Sequence, residues 1–199
     1  CPWPQVLVRL HKSFEPQKDL SLTVAAALAA GQPVGSLTAQ QFRPREPVTL
    51  QITWSRFAEL MATLAAKQEL FHQTGATHAI LLLDPAGNIL AGAEDIGRHN
   101  AFDKVIGQAL LKNLPTAGSI VLLSGRASFE MVFKTARLGV PLVGSVSAPT
   151  SLAVALADTQ GITLAGFVRG ERGNIYTHPQ RLTELAAMVQ RQKSEAASG

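Results

Sequence analysis

Ser119-Ile120-Val121-Leu122-Leu123-Ser124-Gly125-Arg126-Ala127-Ser128-Phe129-Glu130-Met131 is the stretch on which the fold turns. Its opening run is apolar without a break, which marks a short strand buried on both faces rather than one with a wet side. A small polar turn follows, and residues 127–138 read as a helix. A strand covered on both sides belongs to a layered α/β sheet.

The same alternation extends in both directions. Downstream, residues 140–146 and 162–168 read as strands, with a helix expected over 150–158 between them. Upstream, 79–83 is a short apolar run, Asp84-Pro85-Ala86-Gly87-Asn88 is a turn cluster, and 89–93 is the returning strand of a hairpin. Residues 98–112 form a helix with Phe102, Val105, Ile106, Ala109 and Leu110 on one face. A single amphipathic helix is expected over 54–71, carrying Phe57, Leu60, Met61 and Leu64 on one side. A last helix spans 179–192. Residues 5–10 are a candidate strand and 32–47 a connection; no internal repeat is visible. The expected division is an N-terminal flank over 1–53, an α/β cofactor-binding domain over 54–193 and a polar tail over 194–199.

Composition narrows the class. In 199 residues, 46% are hydrophobic and 16% charged, against roughly 25% charged in ordinary domains, so a sizeable core can form and disorder over most of the chain is excluded. One cysteine excludes an internal disulfide and a four-cysteine metal site. A net charge of +4 suits an anionic ligand but is too small and dispersed for nucleic acid. The longest apolar run, residues 20–30, falls well short of the ~20 residues that a membrane span needs, and reads as a buried helical turn. The chain opens at Cys1 without methionine and is expected to be a piece of a longer protein; the expected compartment is the cytoplasm.

In open α/β sheets, ligands bind beyond the carboxyl ends of the strands. Three segments fall at such ends. Ser124-Gly125-Arg126-Ala127-Ser128 offers backbone N–H groups at a helix start and a forked guanidinium. Ser145-Val146-Ser147-Ala148-Pro149-Thr150-Ser151 is rich in hydroxyls, and Phe167-Val168-Arg169-Gly170-Glu171-Arg172-Gly173-Asn174 flanks a turn with two arginines. Together they fit a phosphorylated ligand. The plainer alternative makes Ser124 and Thr150 ordinary helix caps and the arginines a solvated surface.

Glu94-Asp95-Ile96-Gly97-Arg98-His99-Asn100 with Asp103-Lys104 is the densest polar cluster. His99 and Asp103 share a helix face, Asp95 can cap the helix, and a histidine beside carboxylates serves as base or ligand donor. A capped helix with an exposed ion-pair face is the alternative. His78, inside an apolar strand, reads as a core residue. The His-x-Glu and Pro-Cys-x-x-Cys pattern of zinc deaminases is absent, so no zinc or other metal is expected, and no nucleophile elbow or P-loop is present.

Several uncommon strings stand in register. Gly75-Ala76-Thr77-His78-Ala79, Glu94-Asp95-Ile96-Gly97-Arg98-His99-Asn100-Ala101, Asp103-Lys104-Val105-Ile106-Gly107, Ser124-Gly125-Arg126-Ala127-Ser128-Phe129-Glu130-Met131, Val146-Ser147-Ala148-Pro149-Thr150-Ser151-Leu152-Ala153-Val154, Gly166-Phe167-Val168-Arg169-Gly170 and Asn174-Ile175-Tyr176-Thr177-His178-Pro179 resemble the formate dehydrogenase accessory sulfurtransferase (FdhD) family over residues 54–182. The resemblance implies a three-layer α/β/α, cytidine-deaminase-like sheet without the zinc site. It implies a sulfur carrier that takes sulfur from a cysteine desulfurase and serves the sulfuration and delivery of the molybdenum bis(pterin guanine dinucleotide) cofactor to formate dehydrogenase apoenzyme. A homodimer is implied as well. The turn matching Phe167 to Arg172 is the one associated with that cofactor, and Ser124, Gly125, Arg126, Ser147, Thr150 and His99 are expected to line the same crevice.

The resemblance has one departure. The family's Cys-Gly-x-Cys-Gly loop should fall near residues 27–36, which here read Ala27-Leu28-Ala29-Ala30-Gly31-Gln32-Pro33-Val34-Gly35-Ser36. A persulfide needs an attacking thiolate, and Cys1 is the only thiol, so Cys1 is the candidate carrier, the alternative being an incidental terminal cysteine beside Pro2 and Pro4. The alternative is a cofactor-binding chaperone, or an inactive relative, that lacks the persulfide cysteine.

Overall fold

A computed structural model describes residues 50–185. Their centre is a six-stranded mixed sheet. Its strands are β2 (His78–Leu83), β3 (Ile89–Asp95), β4 (Ile120–Leu123), β5 (Leu142–Ser145), β6 (Thr163–Arg169) and β7 (Arg172–Thr177), in the spatial order β3-β2-β4-β5-β6-β7. The strands β4, β5 and β6 run parallel, while β2 is antiparallel to both β3 and β4, and β7 to β6. A further pair, β1 (Ile52–Thr53) with β8 (Leu182–Thr183), is parallel and joins residues at the two ends of the described chain.

Helices cover both faces, giving the three-layer α/β/α arrangement that the resemblance implies. Ile80, Leu82, Val121, Leu123 and Val143 face a core built with α3 (Arg98–Leu111), α4 (Phe129–Leu138) and α5 (Ser151–Thr159). Their chain neighbours Ala79, Leu81, Leu83, Ile120, Leu122 and Leu142 face α1 (Trp54–Ala66). The alternation is the two-residue period of a strand working on two buried faces at once. Trp54 and Phe57 are wholly buried under this second face, each contributing roughly 2–3 kcal/mol of transfer free energy.

Helix α1 starts where the Thr53 hydroxyl accepts the N–H of Arg56, and its apolar positions end at Leu64. The single helix expected over 54–71 is in fact two, because the chain leaves the helix at Lys67 and Gln68 before α2 (Glu69–Thr74). No residue of α2 is buried, so no apolar stripe holds it in line with α1. The Glu94 carboxylate instead accepts the N–H groups of Leu70 and Phe71, each at 2.9 Å.

Two further expectations are corrected. Leu110 does not share the buried face of α3; it is 67% exposed, and the stripe is Ala101, Phe102, Val105 and Ala109. No helix starts at Pro179: a single 3-10 turn, Pro179–Arg181, leads into β8, where Leu182 is buried against the α1 core and pairs with Ile52. Glu184 then takes a left-handed φ of 71°, and helix begins only at Leu185; the remainder of the expected helix, 186–192, lies outside the described residues. The candidate strand over 5–10, the apolar run over 20–30, the connection over 32–47, Cys1 and the polar tail lie outside the described residues.

Candidate functional site

Strand direction gathers the polar segments. The carboxyl ends of β4, β5 and β6 emerge at one edge of the sheet, and β3 ends there too, because it and β4 both run against β2. The helices α3, α4 and α5 all begin at this edge, so their positive dipole ends face it. The segments 95–97, 124–128, 146–150 and 167–172 therefore form one rim.

Backbone bonds lock the rim. Ala127 and Pro149 form an isolated parallel bridge, in which Ala127 N–H donates to Ala148 O at 3.2 Å and Thr150 N–H to Ala127 O at 3.0 Å. The buried Ser145 hydroxyl donates to the carbonyl of Gly125 at 2.7 Å and accepts the N–H of Ser147 at 3.1 Å. Phe167 N–H reaches Ser147 O at 3.2 Å, tying the third segment to the second. Two loops and a hairpin thus hold each other before any ligand arrives.

The hydroxyls divide by role. Ser124 Oγ accepts the N–H of Ala79 at 2.8 Å, which extends the β2–β4 ladder. Thr150 is an ordinary cap of α5, accepting the N–H of Ala153 at 3.2 Å. Thr150 matches the plainer alternative; Ser124 does not, because its hydroxyl bonds a strand and the residue before α4 is Ser128. The other two helices lack side-chain caps: Gly97 precedes α3 and Ser128 precedes α4, and neither makes a capping bond. Ser147 is half-buried and Arg126 is exposed.

The hairpin breaks its own periodicity. Ala165 and Val168, three residues apart, both face the α1 core, because a bulge between Gly166 and Arg169 inserts one residue. The inserted position is Phe167, held at a left-handed φ of 54° with its ring 45% exposed. Such a conformation in a bulky residue is uncommon and concentrates at functional sites. Val168 is 2% exposed, so its side chain belongs to the core, and only its backbone can face the rim. Arg169, Gly170, Glu171 and Arg172 are exposed at the turn, with Arg169 and Arg172 as cross-strand partners.

Sequence reasoning missed the support of this hairpin. Trp54 Nε1–H donates to the carbonyl of Glu171 at 2.9 Å, and a Cβ on Gly173 would lie 2.8 Å from the Trp54 ring. A tryptophan at the start of an amphipathic helix carries no sign of that contact. His78 also departs from its expected place: it is half-buried at the rim beside Gly125, not enclosed in the core.

The polar cluster around His99 does not assemble into a histidine–carboxylate pair within α3. His99 Nε2 lies 3.4 Å from Glu130 Oε2 on α4, while Asp103 pairs with Lys134 at 2.6 Å. Burial lowers the His99 pKa despite the Glu130 charge, so near neutral pH the imidazole is uncharged and the contact is not an ion pair. Asp95 is fully engaged, with Lys104 at 2.6 Å, Gly97 N–H at 2.9 Å and the Asn100 amide at 3.2 Å. Lys104 first, then Gly97, hold its pKa at about 2. It is an anchor for the start of α3 and a poor base. Among the described residues no three His, Cys, Asp or Glu side chains come together to hold a metal, and no helix is long and apolar enough to cross a membrane.

Residues 5–183 match the model of a family described as FdhD/NarQ. The Sulfur carrier protein FdhD of Nocardia farcinica is 53% identical over 131 residues, covering 65% of this chain and 47% of the relative. That of Thermoplasma acidophilum is 50% identical over 123 residues, covering 62% and 44%. The chain thus spans about half the length of the curated relatives it matches. A crystal structure of a formate dehydrogenase accessory protein from Desulfotalea psychrophila superimposes with a TM-score of 0.64 at 34% identity, over 71% of this chain and 62% of that one.

Proposed function

The chain belongs to the FdhD/NarQ family, and from that premise we propose that it is a sulfur carrier for sulfuration and delivery of the molybdenum bis(pterin guanine dinucleotide) cofactor to formate dehydrogenase. The observation that carries the reading is the rim itself: two uncapped helix N-termini, at Gly97 and Ser128, open beside the exposed Arg126 and a hairpin that sets Arg169 opposite Arg172. Free N–H groups at a helix start and forked guanidiniums suit phosphate oxygens. The exposed Phe167 ring offers a flat face to a base or a pterin.

In this reading the cofactor is cargo. Arg126, Arg169 and Arg172 neutralise its phosphates, Ser147 and the backbone of 124–128 and 167–172 line its path, and Thr150 and His99 frame the two sides. Sulfur arrives on a thiol. The Cys1 thiolate attacks the outer sulfur of the desulfurase persulfide, the S–S bond there breaks, and the desulfurase thiolate leaves while a persulfide forms on Cys1. The partners are a cysteine desulfurase, the formate dehydrogenase apoenzyme and a second copy of the chain, and the setting is the cytoplasm.

Two measurements test this. Calorimetric titration with GDP should show binding that weakens about tenfold or more in Arg126→Ala and in Arg169→Ala, as loss of a charge-assisted contact requires; unchanged affinity in both overturns the phosphate map. Intact-mass spectrometry after incubation with a cysteine desulfurase and cysteine should show a gain of one sulfur that Cys1→Ala abolishes. No gain removes the carrier step.

A further inference from the structure

We propose that His78 is a binding residue of the crevice, whose imidazole holds a phosphate group of the guanine nucleotide against the 124–128 loop; this rests on reading the rim as a nucleotide site. The two-residue period of β2 aligns His78 with Ile80 and Leu82, toward the layer of α3 and α4. Ile80 and Leu82 are closed over by that layer. His78 stands one step further along, level with the points where the helices begin, so it is only half-buried.

Its neighbours leave it free. On one side its cross-strand partner is Asp95, whose carboxylate is committed to Lys104, Gly97 and Asn100. On the other, Ser124 bonds twice to Ala79, through N–H to O at 3.0 Å and through Oγ from N–H at 2.8 Å. Those bonds fix Gly125 alongside the ring, where a Cβ would lie 3.0 Å from Nδ1 and 3.3 Å from Cε1. The glycine therefore keeps a niche open for the imidazole. No hydrogen bond to the His78 ring occurs among the described residues, and its nitrogens are not among the buried unpartnered atoms, so they are open to a ligand from the rim. A ring positioned on both sides by backbone, with its nitrogens unspent at the mouth of an anion-suited rim, is arranged to donate to a phosphate oxygen.

The test compares GDP with guanosine on the full chain. His78→Ala should weaken GDP binding about tenfold and leave guanosine binding unchanged, and His78→Gln, which keeps a donor, should recover part of the loss. Gly125→Ala, which crowds the ring, should weaken GDP as well. In wild-type protein the His78 imidazole nitrogen resonances should shift on adding GDP and stay in place on adding guanosine. Equal GDP affinity in wild type and His78→Ala overturns the assignment, as does an equal loss for GDP and guanosine. Should His78→Ala fail to fold, His78→Gln and the imidazole resonances separate the same outcomes. Wild-type protein that binds no GDP overturns the nucleotide reading together with this one, whereas binding that ignores His78 overturns this one alone.

Discussion

The carboxylate of Asp95 meets the ammonium of Lys104 at 2.6 Å, and the same carboxylate takes the N–H of Gly97 at 2.9 Å, so the end of β3 is fastened to the start of α3. Its pKa falls from the ordinary 3.8 to about 2, first because of Lys104 and then because of Gly97. A depressed carboxylate stabilises the folded state fully above 3.8, and the contribution is lost as pH falls through about 2. Urea titrations at stepped pH should therefore find wild-type stability falling more steeply than that of Asp95→Asn over this window. Parallel acid limbs would show that the pair contributes nothing.

Glu94 holds α2 by the N–H groups of Leu70 and Phe71, and its carboxylate is itself steadied by the Thr77 hydroxyl at 2.8 Å. Since α2 buries no residue, these charge-assisted bonds are its main attachment. Replacing Glu94 by Ala should raise amide hydrogen exchange at Leu70 and Phe71 by about tenfold or more, while the thermal midpoint moves little. Unchanged exchange at both amides would place the attachment elsewhere.

Gly144 lies in the middle of β5 under α1, where an added Cβ would fall 2.6 Å from Phe57 Cζ and 2.7 Å from Met61 Sδ. The thioether can move, but the Phe57 ring lies against Trp54, with centroids 5.7 Å apart, and both are wholly buried. Gly144→Ala is expected to destabilise the fold by about 1–3 kcal/mol, the usual range for overpacking. Chemical denaturation measures it directly, and a wild-type midpoint would mean that α1 lifts freely from the sheet.

The sheet was legible where strands are continuous apolar runs. Residues 120–123 and 142–145 are buried throughout, and no helical period competes with them. Strand β7 was not. Its inward positions are Gly173, Ile175 and Thr177, of which Ile175 alone is strongly hydrophobic, so Arg172-Gly173-Asn174 reads as a turn. The break after α1 is hidden in the sequence because Leu70 and Phe71 continue the apolar content of the helix, yet both stand exposed. Within the site, the three strand-end loops were visible as polar interruptions between apolar elements. Their partners were not: nothing in the spacing of His99 and Asp103 says that each reaches across to α4, to Glu130 and Lys134.

The sequence by itself determined the layered α/β class, the places of most strands and helices and the polar segments that follow the strands. All of these follow from periods of two to four residues along one chain. Only the tertiary structure decided that four such segments share one rim, that Trp54 braces a turn 117 positions away, and that Ser124, 45 positions from Ala79, sets Gly125 beside His78. Those relations depend on strand order, direction and register. Hydrophobic burial drives the chain toward some layered sheet, but a local pattern carries no term for which strand lies beside which.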